Sequence, residues 1–173
     1  LGEDMKHIKN TFKISVFLFI SFFVVMLLLY AYAYLSPGID IKTSNSFHIY
    51  DKDNNLIYLG SGNSEWVVIE SVSPYFLDAI ISTEDKYFYK HMGFDYLRIA
   101  KSLYTNFKNG YISQGGSTIS QQYVKNMYLD FDKTWKRKIQ EAFLTLKLET
   151  HYSKDSILEG YINTIYFGQG CYG

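Results

Sequence analysis

Residues 14 to 35, ISVFLFISFFVVMLLLYAYAYL, run for 22 positions without a charged side chain. About 20 such residues let a helix cross the hydrocarbon core of a bilayer with every backbone group bonded internally. Everything that follows must therefore fold on one side of a membrane segment. Lys6, Lys9 and Lys13 precede the run, whereas Asp40 and Lys42 nearly cancel after it. That bias predicts a cytoplasmic N-terminus, with the chain beyond Leu35 delivered to the far side. Tyr30, Tyr32 and Tyr34 then fall at the outer interface as an aromatic belt. Ala31-Tyr32-Ala33 imitates a signal-cleavage site, but the apolar core of a signal peptide runs only about 7–15 residues. An uncleaved, single-pass anchor is the expectation.

The remaining composition adds a few exclusions. The formal net charge is zero, so no overall cationic field argues for nucleic acid as a partner. Cys171 is the only cysteine; it cannot form an internal disulfide, and no His- or Cys-rich spacing beside it suggests a metal site. Met5 is a plausible start, and the chain closes on GQGCYG, a glycine-rich turn. Further sequence beyond Gly173 is expected.

Past the anchor, SFHIYDKDNNLIYLG (46–60) alternates apolar and polar on both sides of DKDNN, which reads as a short hairpin or two extended pieces leaving the membrane. From Ser73-Pro74 the pattern turns helical, a cap followed by a proline suited to a first turn. Leu77, Ile80, Ile81, Glu84 and Phe88 then recur at steps of three and four, so Glu84 shares an apolar stripe. Asp95 caps a second helix carrying Leu97, Ala100, Leu103, Tyr104 and Phe107, closed by Asn109-Gly110. A third helix runs from about Ser117 to Tyr128. Thr134 opens a fourth, with Trp135, Ile139, Ala142, Phe143 and Leu146 as its buried stripe. Ser153 opens a fifth, with Asp155 in its first turn. These elements predict a mostly α domain. The expected divisions are a cytoplasmic N-terminus (1–13), the anchor (14–35), a linker with a short β segment (36–72) and a partial helical domain (73–173).

Three stretches carry candidate chemistry. In ISTEDKYFYKHMGFD (81–95), Glu84 and Asp85 stand among aromatic residues with His91 behind them. A carboxylate partly withheld from water becomes a better proton acceptor near neutral pH. Asp85 and His91 are positioned to orient it or balance its charge. A plain reading as a solvent-facing helix end competes when the acid pair is taken alone. In QGGSTISQQYVKN (114–126), two glycines permit a tight turn before Ser117 and Thr118 at a helix start. Free amides and hydroxyls there suit a phosphate or diphosphate. Gln121, Gln122 and Lys125 project from the next turns. From Lys125 to Lys138, five cations (Lys125, Lys133, Lys136, Arg137, Lys138) face only Asp130 and Asp132. Arg137 lies one turn from Glu141, which places that carboxylate beside a cation.

In their order these blocks resemble the peptidoglycan glycosyltransferases of family 51, seen as monofunctional transglycosylases and as N-terminal modules of class A penicillin-binding proteins. EDKYFYKHMGFD is similar to that family's ED-x-x-F-x-x-H-x-G-x-D, GGSTISQQ to its GG-S-T-I-T/S-QQ, and RKIQE to R-K-x-x-E. KDSILEGYIN with YFGQGCYG is similar to K-x-x-I-L-E-x-Y-L-N and its continuation. The resemblance runs from about Ser46 to the last residue and implies a lysozyme-like helical glycosyltransferase domain.

The resemblance also implies an activity: polymerisation of lipid II into β-1,4-linked glycan, with inversion at the donor anomeric carbon and release of undecaprenyl diphosphate. By the same resemblance Glu84 is the general base and Glu141 the second carboxylate. Ser117, Gln121, Gln122, Lys125, Arg137 and Lys138 match positions that hold the sugar-diphosphate, with Asp85 and Thr118 beside them. Lys154, Glu159 and Asn163 look structural. Lys133 stands where the family often has Arg, and Gln140 where it often has Lys. The implied partners are lipid II, the growing strand, the bilayer and other cell-wall synthesis proteins. A divalent cation (Mg or Mn) at the diphosphate is left open. A lysozyme-like hydrolase that cuts glycan with the same glutamate, and an inactive envelope scaffold, are the alternatives. A diphosphate leaves as an anion and needs cations more than a proton, whereas a glycosidase must protonate its leaving group. The basic run therefore favours transfer.

Overall fold

The apolar run folds as part of one long helix, α1 (Gly2–Leu35). Within it, Asn10–Leu35 contains an 18-residue stretch with a mean hydropathy of 2.7, which makes it long and apolar enough to cross a membrane by length and composition. The computed structural model describes residues 2–41, 48–52, 56–59, 66–129, 134–168 and 171–172. The chain divides into two compact units, Leu1–Pro37 and Gly38–Gly173.

The second unit begins with the expected hairpin. Strands β1 (His48–Tyr50) and β2 (Leu56–Leu59) pair antiparallel, with His48 opposite Leu59 and Ile49 opposite Tyr58. Five helices follow: α2 (Pro74–Glu84), α3 (Tyr96–Asn109), α4 (Ile119–Tyr128), α5 (Trp135–His151) and α6 (Lys154–Ile162). A second short ribbon, β3 (Tyr166–Gly168) with β4 (Cys171–Tyr172), completes a mostly α architecture.

The helix ends are set by the residues that the sequence marks for them. Asp95 accepts from the Arg98 amide, Thr134 from Arg137 and Ser153 from Ser156, each satisfying an orphan donor of a first turn. Gly110, at φ 72°, ends α3 in the left-handed conformation that a side chain disfavours. Helix α4 begins two residues later than expected. Its cap is Thr118, in a reciprocal capping box with Gln121, and Ser117 stands outside the helix. Helix α2 stops at Glu84, so Phe88 belongs to a separate 3₁₀ turn (Phe88–Lys90).

The core sits where α4, α5 and α6 meet. Ile119, Tyr123 and Val124 come from α4, Leu148 from α5, and Ile157, Leu158, Tyr161 and Ile162 from α6, with Phe88 beneath. Each large apolar side chain contributes about 1.5–3 kcal/mol by leaving water. Two expectations about apolar stripes give way. Trp135 and Ile139 are exposed (87% and 69%), because α5 turns Glu141, Thr145 and Leu148 inward instead. On α3 only Ser102 is buried, while Leu97, Leu103, Tyr104 and Phe107 face outward.

The residues expected to be structural are held as such. Glu159 accepts from the Trp66 indole and the Ile69 amide, both at 2.9 Å. Asn163 bonds both the amide and the carbonyl of Val67 at 2.8 Å. Together they strap residues 66–69 to α6. Lys154 pairs with the buried Glu149 at 2.7 Å and lies over the Phe88 ring at 4.5 Å.

Gly93 has φ 85°, and a β-carbon there would stand 2.9 Å from Thr145 and 3.1 Å from Glu149. Strained backbone and overpacking then act together, so Gly93→Ala is expected to lower stability by about 2–4 kcal/mol. Urea unfolding of the two proteins measures it; an unchanged midpoint would contradict this account of the contact.

Candidate functional site

The acid pair sits where α2 ends. Asp85 leaves helical geometry (φ −159°, ψ 75°), so two adjacent carboxylates point in different directions. Glu84 stays half-buried and its Oε2 accepts from the Gln122 side chain of α4 at 2.8 Å. Gln122 is steadied from behind by Tyr161, whose hydroxyl donates to its Oε1 at 3.3 Å. Arg98 of α3 donates a guanidinium N–H to the Glu84 carbonyl, answering an orphan acceptor at the end of α2. The base candidate is thus held from three helices.

Asp85 is fully buried. Its carboxylate meets His91 Nε2 at 3.0 Å and accepts the Ile119 amide at 3.0 Å. Ile119 is the first residue of α4, so Asp85 supplies the anion that the positive end of that helix attracts. Three amides at this helix start are already engaged within the chain. The Ile119 amide is taken by Asp85, the Gln121 amide by Thr118, and the Thr118 amide by Gln121 Oε1. Thr118 is buried, and its hydroxyl donates to the Gly93 carbonyl at 2.8 Å. Asp85 and Thr118 are both fully buried. His91 Nδ1 is buried without a hydrogen-bond partner, which fits a ring proton kept on Nε2 toward Asp85.

The second cluster lies between α4 and α5. Glu141 is only 1% exposed. Its Oε1 accepts from Gln121 at 3.3 Å and from Lys138, and its Oε2 from Arg137 at 3.2 Å. A carboxylate this buried needs such partners. In return it holds two cations, with 19% and 46% of their side chains exposed. Lys125, half-buried one turn along α4 from Gln121, has no ion-pair partner among the described residues. Ser117 is half-buried just ahead of the α4 cap. Asp130, Asp132 and Lys133 of the basic run lie outside the described residues.

Helix α4 therefore joins the two clusters: Gln122 reaches Glu84, and Gln121 reaches Glu141. Tyr161 and Arg98 were not marked by the sequence. Tyr161 reads as one more apolar position of α6, and only the general need of a buried phenol for a partner hints at more. Arg98 acts across 14 residues of chain, which spacing does not reveal.

Tyr161 also supplies a pH expectation. Burial, then the nearby charges of Glu84 and Asp85, raise its phenol above the ordinary 10. The folded state thus holds this proton more tightly, and the associated stability is full below pH 10 and lost as pH rises beyond it. Tyr161→Phe is expected to flatten the fall of stability between pH 9 and pH 11, roughly the range set by that ordinary value, in denaturant titrations. Equal slopes for both proteins would refute it.

Among the described residues the buried carboxylates do not form a cage for a divalent cation. Both Asp85 and Glu141 are engaged by protein donors, and no cluster of three or more His, Cys, Asp or Glu suits a metal among the described residues.

The sequence model of the family described as Transglycosylase matches residues 53–173. The chain belongs to the transglycosylase family. Curated relatives agree with that membership. The transglycosylase region is 53% identical over 108 residues to "Penicillin-binding protein 2D" of Bacillus subtilis, covering 62% of this chain and 16% of that protein. It is 46% identical over 142 residues to "Penicillin-binding protein 1A/1B" of the same organism, covering 80% and 16%. Against "Biosynthetic peptidoglycan transglycosylase" of Nitrosospira multiformis it is 48% identical over 110 residues, covering 64% and 48%. The chain thus spans less than half the length of each of these relatives.

Proposed function

We propose that this transglycosylase domain polymerises lipid II into β-1,4-linked glycan from the outer face of a membrane, held there by α1. The observation that carries the reading is the placement of Glu84 and the Glu141–Arg137–Lys138 cluster on one helix, α4, through adjacent glutamines.

Glu84 is the general base. It takes the proton of the acceptor sugar's 4-hydroxyl as that oxygen forms its bond to the donor's anomeric carbon, while the bond from that carbon to the diphosphate breaks. Attack opposite the leaving group inverts that carbon. The electron pair leaves with the lipid diphosphate, and Arg137, Lys138 and Lys125 answer its charge. Buried Glu141 aims the first two rather than reacting itself; Gln121 and Gln122 hold the two clusters in register. Asp85, His91 and Thr118 hold the frame.

A hydrolase would use the same glutamate but would need an acid for an alcohol leaving group. Two of the partners of Glu141 are cations, which suits an anionic leaving group instead. The test is the product. Incubated with lipid II, the full chain is expected to yield polymer and free prenyl diphosphate. Solubilised fragments from polymeric peptidoglycan, with no polymer from lipid II, would overturn the reading.

A further inference from the structure

Away from the Glu141 cluster, a cavity of about 440 Å³ opens between the end of α2 and the start of α3. Lys86, Arg98 and Lys101 line it, together with Ser82, Tyr87 and Leu97. Among the described residues none of these three cations has a carboxylate within ion-pair distance. Asp95, the one acid at the cavity wall, is buried and occupied as the cap of α3. Three uncompensated cations round one concavity repel each other unless an anion joins them. The setting narrows the kind of anion. Leu97 and Tyr104 flank Lys101 on the same face of α3, and both are well exposed (80% and 68%). A cationic cup beside an apolar ridge matches an anion carried on a hydrocarbon chain better than a free ion.

We propose that this cavity receives the phosphate headgroup of a lipid, at a site separate from the Arg137–Lys138 pair. The phosphate oxygens meet Lys86, Lys101 and the guanidinium N–H groups of Arg98 not spent on the Glu84 carbonyl, while the chain lies along Leu97 and Tyr104. Two sources share this chemistry: an anionic phospholipid of the bilayer and a prenyl diphosphate. The binding does not depend on the polymerase reading, because it is measured without turnover.

The experiment titrates the full chain, in non-ionic detergent at fixed ionic strength, with dihexanoyl phosphatidylglycerol, farnesyl diphosphate and inorganic phosphate. Calorimetry reads the dissociation constants. Lys86→Ala/Lys101→Ala is expected to weaken binding of the lipid probe by about tenfold or more, the loss of two charge-assisted contacts. Lys52→Ala/Lys108→Ala, an equal charge change on exposed residues elsewhere, is expected to leave it unaltered. A loss for phosphatidylglycerol identifies the bilayer as the source, and a loss for farnesyl diphosphate a lipid-linked diphosphate. Unchanged affinity for both, or inorganic phosphate binding as tightly as either, overturns the proposal.

Discussion

Glu84→Gln is expected to cut glycan polymerisation by about 10²–10⁴-fold, the usual worth of a positioned general base, with little change in folding. Glutamine has the same shape and keeps an oxygen to accept from Gln122 Nε2, so the contact between α2 and α4 survives. What it loses is the ability to take a proton. Half-buried and outside the core, position 84 tolerates the change, and a melting midpoint within about 2 °C of the parent is expected. Polymer formation from lipid II reads the first effect, and differential scanning calorimetry the second. Polymerisation at the parental rate would remove Glu84 from the role of base.

The neighbouring carboxylate should behave in the opposite way. Asp85→Ala removes a fully buried anion that holds the first amide of α4 and the ring of His91. Both partners stay behind with nothing to replace it. Loss of one member of such a buried set costs about 3–5 kcal/mol, enough to lower the melting midpoint by on the order of 10 °C. Activity would fall with it, since α4 carries both glutamines of the site, but the fall should track the unfolded fraction. A variant that keeps its midpoint and loses only turnover would mean that Asp85 meets substrate after all.

The contrast between these two residues marks what is local and what is not. Helix starts were legible because caps are local: Asp95, Thr134 and Ser153 each bond an amide three residues ahead. The extended pieces were legible from their alternation, and the structure pairs them as a hairpin. The blocks that carry the chemistry were legible in their order along the chain, and with them the family. Apolar stripes were less reliable. On α5 the expected stripe held Trp135 and Ile139, yet the inward face is Glu141, Thr145 and Leu148. That face meets the capping box of α4, where a paired carboxylate fits and an indole does not. A hydrophobic period tells which face is apolar, not what neighbour it will find.

Residue order by itself determined the helical class, the membrane-length segment and the set of side chains available for chemistry, because those depend on composition and on contacts within a turn or two. Only the tertiary structure decided which of them meet. It sent Asp85 inward to the amide end of α4 and left Glu84 outward against Gln122. The reason is electrostatic: a helix terminus takes the nearest anion, and here the chain's own carboxylate, 34 residues away in sequence, is already in place.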